Sequence, residues 1–99
     1  MLAIAIAWED GITPESLGLH AGEGETSEML CLQPELVRLE RAAPGYTGDM
    51  SDVLPRLWAS DLQAVTPNGV LGDPRCADAN RGERYLTTQA VCYRHELAR

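Results

Sequence analysis

The chain contains no phenylalanine and no lysine, only two histidines, and no apolar run long enough to cross a membrane. All eight basic residues are arginine, which reads as base composition rather than function. A basic surface for nucleic acid is also missing, since the formal net charge is −7 and phosphate binding needs a basic face. The cysteines, Cys31, Cys76 and Cys92, are odd in number and form no Cys-x-x-Cys pair. No oxidising compartment is indicated, and Cys31 and Cys92 read as small hydrophobes packed among helical apolar positions. Met1–Ala7 superficially resembles a signal sequence. It lacks a basic start, is too short, and runs straight into Trp8-Glu9-Asp10, so a cytoplasmic protein is expected.

What is present suits one small domain over residues 1–99. The apolar fraction of 44% is ordinary for a globular chain and argues against overall disorder. Charge is uneven: residues 1–50 carry nine acids and two arginines, and residues 51–99 carry six of each. An acidic half suits a metal or a cationic substrate, and it equally suits a solvated loop.

Residues 2–8 alternate between Leu2, Ile4, Ile6, Trp8 and Ala3, Ala5, Ala7, which predicts a strand apolar on both faces. Such a strand belongs in a parallel sheet covered on both sides, with Trp8 in the core. Gly11, Pro14 and Gly18 mark residues 9–19 as loop. A helix is expected from Thr26 or Ser27, either of which can cap it, with Glu25 and Glu28 near its positive end and Met29, Leu30 and Leu32 supplying apolar contacts. Pro34 ends that stretch or begins a further turn. Residues 42–60 read as irregular, with a short turn at Val53–Trp58. A second strand is expected at Leu62–Val65, with Gly69–Leu71 continuing or turning back from it. Asp78 reads as the cap of a C-terminal helix on which Tyr85, Leu86, Gln89, Ala90, Tyr93 and Leu97 recur at helical spacing, weakened slightly by Gly82. One further strand and two helices are too few to cover the first strand. Missing chain, another subunit or a separate polypeptide is therefore expected to complete the sheet.

His20 is the leading candidate for chemistry. It follows a loop and precedes a glycine turn into a helix, and imidazole is the side chain most easily tuned for proton transfer near neutral pH. A lone loop histidine is nonetheless more often structural or simply exposed. Glu23 and Glu25 extend it to His-x-x-Glu-x-Glu, a partial metal-ligand pattern that is too local to be a site by itself. Helix-end electrostatics accounts for Glu25 equally well.

Two blocks carry a resemblance to a known family. His20-Ala21-Gly22-x-x-Glu25-Thr26-Ser27, followed by Met29-Leu30 and Pro34-Glu35-Leu36-Val37, resembles the His-Ala-Gly-x-x-Glu-Thr-Ser signature of the creatininase (creatinine amidohydrolase) family. Asn68-Gly69-Val70-Leu71-Gly72-Asp73-Pro74, then Ala77 and Gly82-Glu83, is similar to that family's Gly-Val-x-Gly-Asp-Pro segment and closing helix. The resemblance implies an α/β fold: the C-terminal part of an αβα layered domain with a mostly parallel sheet, its N-terminal half missing. It implies a metal-dependent amidohydrolase, using zinc or manganese, that opens cyclic amides or removes formyl or peptide-like groups, with a small-molecule cyclic amide or formamide-type bond as the expected substrate. It further implies a homo-oligomer or a complementing N-terminal segment as partner. In that frame His20 matches the proton-shuttling histidine and Glu25 a residue that orients His20 or the metal region. Thr26 and Ser27 match as caps, and Gly72, Asp73 and Pro74 as a structural turn.

The departures are specific. The family's metal ligands lie in Glu-x-His-Gly and Asn-Gly-His segments, neither of which occurs here, and His95 matches no ligand. Creatinine-specific members carry an aromatic shortly before the motif histidine, where this chain has Ser16-Leu17-Gly18-Leu19. The chain alone is therefore expected to be inactive. Its alternative reading is a truncated relative acting as an interaction or oligomerisation module.

Overall fold

Ala3, Ala5 and Ala7 are the best helix formers available, and the segment they occupy is a helix. The computed structural model describes residues 2–98 and opens with helix α1 over Leu2–Glu9. The strand predicted at residues 2–8 is thus corrected, and with it the α/β sheet architecture. Among the described residues there is no strand, only two isolated bridges. The reason is backbone accounting: without neighbouring strands, residues 2–9 satisfy their N–H and C=O groups internally only as a helix. The side chain of Leu2 lies outside the described residues. Ala7 is buried and Trp8 is 70% exposed, so Trp8 is not in the core.

Helix α2 is the single turn Pro14–Leu17, capped by the Thr13 hydroxyl, inside the stretch read as loop. Helix α3 spans Glu23–Leu32 with Gly22 as its cap, three residues earlier than the Thr26 start expected from the sequence. Neither Thr26 nor Ser27 caps it, and Ser27 is fully buried in its second turn. A 3₁₀ turn follows at Pro34–Leu36. Helix α4, Val53–Ala59, realises the turn expected at Val53–Trp58. Helix α5, Leu62–Val65, replaces the second predicted strand; the Asp61 carboxylate accepts the Ala64 N–H at 2.9 Å and starts a helical turn instead. Helix α6, Ala79–Leu97, is capped as predicted by Asp78, whose Oδ1 accepts the Arg81 N–H at 2.8 Å.

Two packing centres organise these elements. Val53, Val65 and Leu71 form a small apolar core under Tyr46, Met50 and Leu57. The other centre is the contact of α3 with α6, the most extensive between any two elements. Gly82 of α6 lies against the backbone of α3; a Cβ there would stand 1.9 Å from the Ser27 carbonyl oxygen. The glycine that weakens the isolated helix is what lets the two helices meet. Acidic residues at the end of α1 tie it to α6: Glu9 reaches Arg84 at 2.7 Å, and Asp10 reaches Arg81 at 2.9 Å and Arg84 at 3.1 Å. Cys31 and Cys92 are half-buried, Cys76 is exposed, and all three are free thiols. No described helix is long and apolar enough to cross a membrane.

Candidate functional site

Three short stretches of chain meet around Leu71 and hold His20 in place. Leu71 accepts the Leu19 N–H at 2.8 Å and donates its own N–H to the His20 carbonyl at 2.8 Å, while Tyr46 donates to Val70 at 2.9 Å from the opposite side. Gly72, at φ +144°, makes this approach possible, because a Cβ there would meet the Gly22 Cα at 2.8 Å and the Ser16 carbonyl at 2.9 Å. Asp73 then accepts the Arg75 N–H at 3.1 Å and pairs with its guanidinium at 2.8 Å, and Pro74 opens a 3₁₀ turn. The residues matched to a structural turn do form one.

After His20 the chain reverses through Ala21, the one described non-glycine residue at positive φ (+54°). That conformation costs on the order of 1 kcal/mol for a residue with a Cβ. Glu25 offsets it: its Oε1 accepts the Ala21 N–H at 2.8 Å, reaching back from the third position of α3 past the Gly22 cap to the residue before it. The Thr26 hydroxyl donates to the Ala21 carbonyl at 3.5 Å. The same Glu25 Oε1 stands 3.8 Å from His20 Nδ1, with both side chains 58% exposed. The two candidate residues are therefore brought together, open to solvent. A small rotation would turn the approach into a hydrogen bond, as often happens to catalytic contacts once a ligand binds.

Glu23 behaves differently from what His-x-x-Glu-x-Glu implies. Two residues apart on a helix, side chains point to nearly opposite sides, and Glu23 is fully buried while Glu25 is exposed. Its Oε1 accepts the Tyr85 hydroxyl at 2.6 Å; its Oε2 accepts Ser27 Oγ and Arg81 Nη1, both at 2.7 Å. Ser27 Oγ in turn accepts the N–H of Asp78 at 2.9 Å, fixing the first turn of α6. Burial, and then the Glu23 carboxylate, hold the Tyr85 phenol well above its ordinary pKa. This buried network was missed by the sequence reading. Its trace was there to find: Glu23 and Ser27 share one face of α3, and Arg81 and Tyr85 share one face of α6, each pair four residues apart with Gly82 between the second pair.

Glu28, one turn after Gly24, is half-buried. Burial raises its carboxyl above the usual glutamate value, against the opposing hydrogen bond from Gln89 at 3.3 Å. His95 lies exposed in the last turn of α6.

The divalent metal implied by the family resemblance is not matched by these side chains. Among the described residues no three of His, Cys, Asp and Glu converge. Glu23 is committed to its three partners, leaving His20 and Glu25 as a pair, and two ligands do not make a metal site.

The geometry thus defines an exposed histidine–carboxylate pair on a turn braced by a buried ionic network, set in the His-Ala-Gly-x-x-Glu-Thr-Ser motif. The chain belongs to the creatininase family, whose model, described as creatinine amidohydrolase, matches residues 3–92. It is similar to proteins named mycofactocin precursor peptide peptidase. Identity is 43% over 65 residues to the one from Mycobacterium ulcerans (strain Agy99) and 38% over 65 residues to that of Mycolicibacterium smegmatis (strain ATCC 700084 / mc(2)155). It is again 43% over 65 residues to that of Mycobacterium tuberculosis (strain ATCC 25618 / H37Rv). Each match covers 66% of this chain and 26% of the relative, so the chain spans about a quarter of the length of the curated relatives it matches. No solved structure matches it.

Proposed function

We propose that residues 1–99 contribute the proton-handling part of a creatininase-family amidohydrolase that cleaves a peptide amide bond. The observation that carries this reading is the approach of Glu25 to His20 across the strained Ala21 turn, within the family's signature. A peptide is preferred to the cyclic amide expected from the sequence because the relatives are named as peptidases of a precursor peptide. Glu25 faces Nδ1 of His20, which favours the tautomer with its proton on that nitrogen and leaves Nε2 for the substrate. In hydrolysis, water adds its oxygen to the amide carbon, and protonated His20 delivers a proton from Nε2 to the departing nitrogen as the C–N bond breaks. The amine leaves neutral, and His20 regains a proton from the attacking water.

The described residues do not assemble a metal-ligand set. In this reading, divalent metal binding (zinc or manganese) requires ligands from a complementing polypeptide or another subunit. A cytoplasmic setting accords with the unpaired thiols.

The test is hydrolysis of a blocked peptide, and separately of creatinine. Each is measured with the chain alone and with a polypeptide carrying Glu-x-His-Gly and Asn-Gly-His segments plus zinc or manganese. Cleavage of the peptide by the mixture, abolished by His20→Ala, supports the reading. Preferential cleavage of creatinine overturns the substrate assignment, and full activity of His20→Ala overturns the role of His20. A mixture that binds metal but cleaves neither substrate favours the interaction module.

A further inference from the structure

The residues on either side of His20 line two different hollows. Leu19 borders a cavity of about 350 Å³ whose apolar wall includes Ile4, Leu17, Met50 and Tyr85. Ala21 borders a second hollow of about 250 Å³ with Met29, Leu36 and Val37. Glu25 lies on the rim of both. Glu25, which stands 3.8 Å from His20, is thus the side chain the two apolar recesses share, and the backbone bonds of Leu19 and His20 to Leu71 hold this stretch in register.

A compact cyclic amide has one body and fills one recess. An extended peptide carries successive side chains along its length, and with its scissile bond at this shared side chain it puts one side chain on each side. The first recess is lined by two carboxylates, Glu25 and Glu28, and by no cation, which disfavours an acidic residue there. The walls of both are mainly apolar, and burying an aliphatic side chain against such walls is favourable in proportion to the area removed from water.

Resting on the reading that this site cleaves a peptide bond, the geometry points to a substrate with an uncharged apolar side chain on each side of the scissile amide. The recess beside Leu19 receives one and the recess beside Leu36 the other. Leu19 and Leu36 are then specificity-determining residues that take no part in the proton transfer itself. Both side chains are well exposed, 58% and 68%, so replacing either leaves the buried centres intact.

The experiment is an NMR shift titration of the full chain with four blocked dipeptides: acetyl-Leu-Leu-amide, acetyl-Leu-Gly-amide, acetyl-Gly-Leu-amide and acetyl-Gly-Gly-amide. Each leucine is expected to tighten binding about tenfold, the order of magnitude for burying one aliphatic side chain. Acetyl-Asp-Asp-amide should bind no better than the glycine peptide. Leu19→Gln should erase the preference for leucine at one position only, and Leu36→Gln at the other, with unchanged melting temperatures. Equal binding of the four peptides, or loss of the same preference in both variants, overturns the inference. Because binding is read without turnover, the two proposals fail separately. A leucine preference without peptide cleavage in the complemented mixture removes the hydrolase reading and leaves the two recesses. Peptide cleavage with no leucine preference does the reverse.

Discussion

Tyr85 donates its hydroxyl proton to Glu23 at 2.6 Å, linking the middle of α6 to the first residue of α3 in a spot closed to solvent. That contact joins the longest helix to the turn that presents His20. The carboxylate is stabilised there because Ser27 and Arg81 satisfy its remaining acceptor positions. A buried charge is tolerable only under such complete pairing.

Tyr85→Phe should lower stability by about 1–2 kcal/mol, since it removes one hydrogen bond and leaves Glu23 two partners. Glu23→Ala should cost more, about 3 kcal/mol, because it strands the Tyr85 hydroxyl and deprives Arg81 of its innermost partner. Urea denaturation of both variants gives the order directly. Equal losses would show that the tyrosine bond, not the charge pairing, dominates.

Gly82→Ala separates propensity from packing. In an exposed helix this change gains up to about 1 kcal/mol. Here the new methyl would meet the Ser27 carbonyl oxygen at 1.9 Å and the Glu28 nitrogen at 2.8 Å, both backbone atoms that cannot move alone. Overpacking of this kind costs about 1–3 kcal/mol or more, so packing wins and the variant melts lower. A melting temperature at or above that of the parent chain would mean that α3 and α6 do not pack this closely.

His20→Ala in the complemented enzyme should reduce turnover on the order of 100-fold or more, the usual contribution of a general acid. Metal content and melting temperature should be nearly unchanged, since the side chain is exposed. Glu25→Gln keeps an oxygen for the Ala21 N–H and removes the charge facing His20. A loss of roughly 10- to 100-fold in turnover is expected, with little loss of stability. Parent-level turnover with a lower melting point would leave Glu25 only its work at the turn, and loss of metal with His20 would make that residue a ligand.

Two carboxyls set opposite pH trends. Asp10 is held below its ordinary value by hydrogen bonds from Arg81 and then Arg84. Its stabilisation is present above the unfolded-state pKa and is lost as pH falls through the depressed folded value. Glu28 is raised by burial, so its contribution is fully present below the unfolded-state pKa and is lost as pH rises through the elevated folded value. Thermal melts between pH 3 and pH 7, about the span of carboxyl titration, should show Asp10→Asn less stable than the parent at neutral pH, the gap closing in acid. Glu28→Gln should be more stable than the parent at neutral pH, its advantage also fading in acid. Differences that persist unchanged at low pH would show that charge is not their origin.

Local chemistry was enough to mark several features along the chain. Asp78 followed by a 3.6-residue apolar repeat specifies the start of α6, because a side-chain cap and a helical stripe both act within a few residues. The pairing of His20 with Glu25 was implied by the family resemblance, and five residues and one glycine turn are what bring the two side chains to 3.8 Å. The state of residues 2–8 is not local. Their alternation of alanine with larger apolar residues satisfies a strand covered on both faces and a helix alike, and the outcome turns on whether neighbouring strands exist to take the backbone hydrogen bonds. The fate of Glu23 was equally out of reach. Placing the helix start at Thr26 left Glu23 in a loop beside Glu25; starting it at Gly22 turns Glu23 inward, where Arg81, 58 positions later in the chain, pairs with its charge and Tyr85, 62 positions later, donates a hydrogen bond to it. Caps and stripes are read over one or two turns of helix, whereas the partner of a buried charge is chosen by whichever distant segment packs against it.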